Sequence, residues 1–251
     1  MKDLFISALA IGLSTVIGAV AGLAVRRIPH KYNDLILGSA AGIMLAAAIL
    51  GLIVPAAGSE VKYALPMMTT GVILGAILIS CLDKIVPHLH KIAGIDPEKH
   101  PDARGAGKIL LFVSAIAIHK FPEGMAAGVS FGTGDTGDII TVTGSIALQN
   151  IPEALVIVVP LLTAGLSMKR TMLIAAVIGA ISMLGTVSGF FLVNLASAIQ
   201  PLVLAFAGGT MLYVVSDEMI PETHSHGFEK QATFSLIGGF LLVLILQHVI
   251  G

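Results

Sequence analysis

The sequence predicts an all-α integral membrane protein of eight transmembrane helices, and three observations carry that prediction. Apolar residues make up 56% of the 251 positions and charged residues only 12%, where a water-facing domain carries about 25% charge. Mean hydropathy is +0.97. The apolar residues also gather into stretches of roughly 17–25 residues, the length that crosses a bilayer as a helix. Eight can be drawn, at about 4–25, 35–55, 64–86, 109–131, 139–163, 171–196, 202–215 and 232–250. The 28 glycines and the absence of tryptophan suit helices at close approach better than a β-barrel with aromatic girdles. A net charge of −1 gives no reason to expect nucleic acid as a partner, and one cysteine, Cys81, excludes a disulfide framework and any cysteine-rich metal site.

Each stretch has its own signature. The first is too long for the apolar region of a cleavable signal, and Arg26 and Arg27 follow it rather than precede it. The second ends at Pro55, and the third runs into Asp83, Lys84, Pro87, His88 and His90. Residues 87–107, rich in Pro, Gly, His and charge, read as a loop. The fourth and fifth carry ionisable residues at mid-span, whereas the sixth carries none. The seventh is short because it meets Asp217 and Glu218, and the eighth holds no Asp, Glu, Lys or Arg.

Orientation follows from where Lys and Arg fall, since cytoplasmic connections are enriched in both. The connections after spans one, three, five and seven hold Arg26, Arg27, Lys31, Lys84, Lys91, Lys99, Arg104, Lys108, Lys169, Arg170 and Lys230, which is eleven of the 14. Only Lys2 and Lys62 lie on the other side, and Lys120 lies inside a span. Both termini are therefore expected to be extracytoplasmic and 87–107 to be a cytoplasmic loop.

Ionisable groups at membrane depth are costly and usually face a pathway or cavity. Span four reads His119-Lys120-Phe121-Pro122-Glu123-Gly124; span five repeats the pattern 30 residues later as Gln149-Asn150-Ile151-Pro152-Glu153-Ala154. Residues four apart share a helix face, so His119 stands with Glu123 and Gln149 with Glu153. One imidazole and at least three oxygen donors form a set that a divalent transition ion accepts. Pro122 and Pro152 cannot donate to the carbonyls four residues back, which predicts helix kinks and bare carbonyls beside a hydrated pocket. Broken helices with acids at midplane, in a repeated pair, are what transporter sites look like. Lys120 is expected to pair with Glu123 or Glu153. A second polar cluster at the ends of spans three and seven contains Asp83, His88, His90, Glu218, Glu222 and His224, carboxylates and imidazoles suited to metal.

These motifs resemble the ZIP (Zrt/Irt-like protein) family of divalent metal transporters, and within it the prokaryotic GufA-like branch. HKFPEG and QNIPEA resemble the family's two Pro-Glu motifs; AAGIML in span two and GGTMLYVVSDEMIPETH in span seven also look like family segments. The resemblance covers the whole chain and implies a 3+2+3 arrangement, two three-helix bundles around spans four and five, in a single domain over 1–251 that forms a homodimer. It implies a transport site of His119, Glu123, Gln149, Glu153 and Met44. It further implies a cytoplasmic release cluster of Asp83, His88, His90, Glu218, Glu222 and His224. Three residues depart from the family pattern around a neighbouring second ion site: Lys120 for Asn, Asn150 for Asp, and Ser182 where a bridging Glu can stand. The expectation is a single-ion site with the Lys120 ammonium in place of a second metal.

The function expected is uptake of a divalent cation, zinc before iron, manganese, cadmium or cobalt, by alternating access through spans four and five. No catalytic cofactor is expected. Short connections and the lack of a targeting segment point to the cytoplasmic (inner) membrane of a prokaryote. An intramembrane metalloprotease would need a His–Glu–x–x–His string, which the sequence lacks. A cation/proton antiporter using the midplane carboxylates and Lys120 is the alternative.

Overall fold

A computed structural model describes residues 1–25, 28–85, 106–195 and 197–250. Among the described residues there are eight long helices and no strand. They are α1 (Lys2–Val25), α2 (His30–Ala57), α3 (Ala64–Ile85), α4 (Ala106–Ser130), α5 (Thr136–Thr163), α6 (Met168–Leu195), α7 (Gln200–Thr223) and α8 (Glu229–Ile250). Seven are long and apolar enough to cross a membrane. The other, α4, is 25 residues long and carries Lys108, Lys120 and Glu123. Helices satisfy their own backbone donors and acceptors, which an apolar surround demands.

Two expectations need correction. Span seven is not short: α7 continues through Asp217 and Glu218 to Thr223 by widening into a π turn at Val215–Met219. α2 does the same at Ile49–Ile53. Each π turn precedes a Val-Pro or Ile-Pro pair, Pro55 in α2 and Pro221 in α7. A proline removes the donor that would continue the ladder, and the wider turn absorbs the mismatch. Conversely, α4 and α5 are not broken at their motif prolines; each is one continuous helix through Pro122 or Pro152. The π turns therefore sit in α2 and α7, not in the helices bearing the repeated acids.

Four helix pairs make the closest contacts, α4 with α6, α3 with α7, α2 with α8, and α1 with α5. Each uses glycines four apart: Gly124 and Gly128 on α4, Gly71 and Gly75 on α3, Gly38 and Gly42 on α2, Gly18 and Gly22 on α1. A Cβ at Gly128 would overlap the Thr186 carbonyl oxygen, and one at Gly42 the Leu236 oxygen. Between helices in lipid there is little hydrophobic drive, so close backbone approach and dispersion supply the association. α1 also packs on α6. The helices thus sort into one set of α1, α4, α5 and α6 and another of α2, α3, α7 and α8, meeting mainly where α2 lies on α5 and α4 on α7. That junction is lined by small or flexible apolar residues, including Ala40, Met44, Ala48, Ala126, Val142 and Met211, all buried.

The start of α5 is set locally. Asp135 is its N-cap, accepting from the Gly137 amide at 2.6 Å and the Asp138 amide at 3.2 Å, which satisfies two of the helix's free donors. Gln149 and Glu153 then fall on the buried face of α5.

Gly128→Val should drive a side chain into the backbone of α6 and cost at least the ~1–3 kcal/mol of an overpacked core. Thermal unfolding in detergent should show a drop of several degrees or loss of the folded species. Gly144→Val, at a glycine on α5 with nothing within 4 Å of its Cβ direction, should stay near wild type.

Candidate functional site

α4 and α5 bring the two copies of the repeated motif face to face. His119, Lys120, Glu123, Gln149, Asn150 and Glu153 are all buried, none more than 8% exposed. Lys120 is the hub. Its ammonium donates to Glu123 Oε2 at 2.5 Å, to Asn150 Oδ1 at 3.0 Å, and to Glu153 Oε2. Three acceptors use all three of its N–H groups. Gln149 Nε2 lies 3.5 Å from Glu123 Oε2, and Asn150 Nδ2 donates to the Ile11 carbonyl at 3.3 Å, tying the site to α1. Among the described residues, Gln149 Oε1 is buried without a hydrogen-bond partner.

The expected pairing of Lys120 with Glu123 or Glu153 is in fact with both. Snorkelling toward an interface, open to a long side chain, is not what it does. His119 turns the other way: its Nε2 lies 3.1 Å from Glu218 Oε1, in the π turn of α7. With the ammonium between the carboxylates and the imidazole on α7, no three His, Cys, Asp or Glu side chains among the described residues form a group that could hold one ion.

A cavity of about 180 Å³ opens beside this cluster. His119, Lys120, Glu123 and Glu153 line one end; Glu218 and Glu222 line the α7 side, with Leu37 of α2 and Pro160 of α5 completing it. Glu222 and Pro160 lie near the C-terminal ends of their helices, and Leu37 near the N-terminal end of its own. All three of those ends adjoin the Lys- and Arg-rich connections. Met44, Leu52, Met125, Val129, Ile146 and Leu204 belong to a buried apolar core, and none of them lines the cavity.

The remaining expected residues fall in different places. Met44 is fully buried in that apolar core and does not line the cavity. Ser182 packs against Gly124, one residue from Glu123, but its hydroxyl donates within its own helix, to the Ile178 carbonyl at 3.3 Å. His224 ends α7 with both ring nitrogens engaged, Nδ1 2.8 Å from the Ile220 carbonyl and Nε2 3.0 Å from Thr233 Oγ1 of α8. His88 and His90 lie outside the described residues, as does the side chain of Asp83.

One pair was not anticipated. Asp34, fully buried in the first turns of α2, meets His226 of the α7–α8 connection, with Oδ1 2.9 Å from Nδ1. The His226 ring stacks on His30 at a centroid distance of 4.5 Å. The available signal was a carboxylate one residue before an apolar run and a histidine in a connection on the same expected side.

The sequence model of a protein family described as ZIP Zinc transporter matches residues 95–247. The chain is 38% identical over 244 residues to zinc transporter ZIPB of Bordetella bronchiseptica, covering 95% of this chain and 78% of that protein. It is 35% identical over 252 residues to zinc transporter GufA of Myxococcus xanthus, covering 98% of each. It is 32% identical over 261 residues to zinc transporter ZupT of Chlorobium phaeovibrioides, again covering 98% of each.

His226→Ala should leave the Asp34 carboxylate buried, its second oxygen already lacking a partner among the described residues. Stranding such a group costs about 1–3 kcal/mol, so thermal unfolding should fall measurably. The double change Asp34→Asn with His226→Ala should recover part of that loss, because no charge is then left buried.

Proposed function

Because the chain belongs to the ZIP zinc transporter family, and is thus a multi-pass membrane transporter rather than an enzyme, we propose that it carries a divalent transition-metal ion, zinc, toward the cytoplasm through the cluster between α4 and α5. The observation that carries this reading is the convergence of Glu123 and Glu153: one ammonium reaches an oxygen of each, so one metal ion can be shared between them as well. Glu123 and Glu153 supply the opposing charge. His119 supplies a borderline-soft nitrogen after leaving Glu218, and Gln149, whose Oε1 is buried without a partner, supplies a neutral oxygen. Such a mixed set without thiolate suits zinc while admitting iron, manganese, cadmium or cobalt, and it binds loosely enough to release its cargo.

Access is asymmetric. The cavity leads from the carboxylates past Glu218 to Glu222, and we assign it to the cytoplasmic route on the strength of the Lys and Arg distribution. Glu218, Glu222 and His224, with Asp83, His88 and His90, are the proposed release ligands. The apolar fill around Met44, Met125 and Ile146 is the proposed outer closure, which must part for the ion to enter. We read the chain as one transmembrane domain in a 3+2+3 arrangement with extracytoplasmic termini, acting as a homodimer in a prokaryotic inner membrane. The names of the relatives weigh against the cation/proton antiporter alternative.

Lys120, Asn150 and Ser182 leave no carboxylate for a second ion beside the first, and the ammonium is a cation already in place. One core ion per chain is therefore the proposed stoichiometry.

Uptake of radiolabelled zinc into proteoliposomes should be abolished by Glu123→Ala and by His119→Ala, with both variants still inserted and monodisperse; near-normal transport by either would overturn the site. Equilibrium binding should give one tight core zinc per chain, and two would overturn the single-ion reading.

A further inference from the structure

The lysine does more than occupy a neighbouring position. Its ammonium sits on Glu123 Oε2 and Glu153 Oε2 together, so it holds an oxygen of each carboxylate that a shared metal ion would need. Asn150 Oδ1, at 3.0 Å, gives the ammonium an acceptor that belongs to neither carboxylate. Lys120 is 4% exposed and its partners no more than 8%, so water reaches them only from the cavity and compensates their charge poorly. The carboxylates and Lys120 sum to one negative charge. Adding a divalent ion makes the cluster one positive, whereas without the lysine the same ion would bring two carboxylates to neutrality.

We infer that Lys120 is an internal exchange cation: the incoming metal displaces its ammonium from Glu123 and Glu153 toward Asn150, and the returning ammonium displaces the metal on release. The inference rests on the proposed transport site and adds a role for a residue that is not itself a ligand. Two consequences follow from charge alone. The ammonium competes for the same oxygens, and its charge opposes the metal at short range in a medium of low dielectric; both weaken binding. It also spares the buried carboxylates from standing uncompensated once the metal has gone, which is costly at membrane depth. Lys120 therefore lowers affinity and speeds release, as a carrier requires and a storage site does not.

His119 has a parallel arrangement. Its Nε2 is held by Glu218 across the junction of the two helix sets, so metal capture by His119 breaks that contact as capture by the carboxylates breaks the lysine's.

The test uses the full chain, purified and reconstituted, with zinc as the probe, and reads both equilibrium binding and proteoliposome uptake. Lys120→Met should tighten the zinc Kd at least tenfold and reduce the turnover rate, with the apparent KM falling too. Lys120→Arg retains the charge and adds a fork that fits carboxylates, so it should fold even if the methionine variant does not, and should bind zinc several-fold more weakly than wild type. An unchanged or weaker Kd in Lys120→Met, or an unchanged or tighter Kd in Lys120→Arg, would overturn the exchange role. A wild-type chain that neither binds nor carries zinc would instead overturn the proposed function beneath it.

Discussion

Two carboxylates buried between lipid-facing helices cannot stand without compensation, and the Lys120 ammonium supplies it. A charge at this depth costs about 2.5–3.5 kcal/mol even on lenient scales. An ammonium with all three donors used, two of them on carboxylates, offsets one of the two negative charges and lowers that penalty. Much of the surrounding structure can be understood as holding this cluster in register. α4 and α5 must face one another with a 30-residue offset, Asp135 caps α5 so that Glu153 falls on the inner face, and Asn150 ties the assembly to α1.

Holding charges together this closely requires helices that do not shift, and here glycine pairs do the holding. In lipid, side chains gain little from leaving an apolar solvent, so association comes from contact area and close backbone approach. The pairs α4–α6, α1–α5, α2–α8 and α3–α7 all have backbone carbonyls where a Cβ would otherwise stand. The junction between the two helix sets is different. Alanine and methionine recur in it beside valine, isoleucine and leucine, and the His119–Glu218 contact crosses it beside the cavity.

The π turns belong to the same picture. Wide turns recur at functional positions because they re-aim side chains without ending the helix. In α7 the wide turn contains Glu218, which reaches His119, and precedes Glu222 farther along the cavity. In α2 the equivalent turn lies in the apolar half of the molecule, where Leu52 packs into the closed core. Two similar backbone devices thus lie in different surroundings, one beside the polar cavity and one in the apolar core.

The sequence by itself determined the membrane character, the number of helices, and several of the polar residues that meet at the centre. These properties are written in local composition: long apolar runs have few other uses, and polar groups inside them are rare enough to stand out. The repeat of Pro-Glu at an interval of 30 residues identified Glu123 and Glu153 as partners because similar positions on adjacent helices lie at similar depth. What tertiary structure alone decided was how those groups share their bonds. Whether Lys120 pairs with one carboxylate or both depends on the α4–α5 separation, set by glycine contacts to α6 and α1 that no local pattern reports. The continuation of α7 through Asp217 and Glu218 was likewise hidden, because a hydropathy window stops at charge while a helix stops only where its hydrogen bonds do. The Asp34–His226 pair joins residues 192 positions apart, and only the packing of α2 beside α8 brings them within reach.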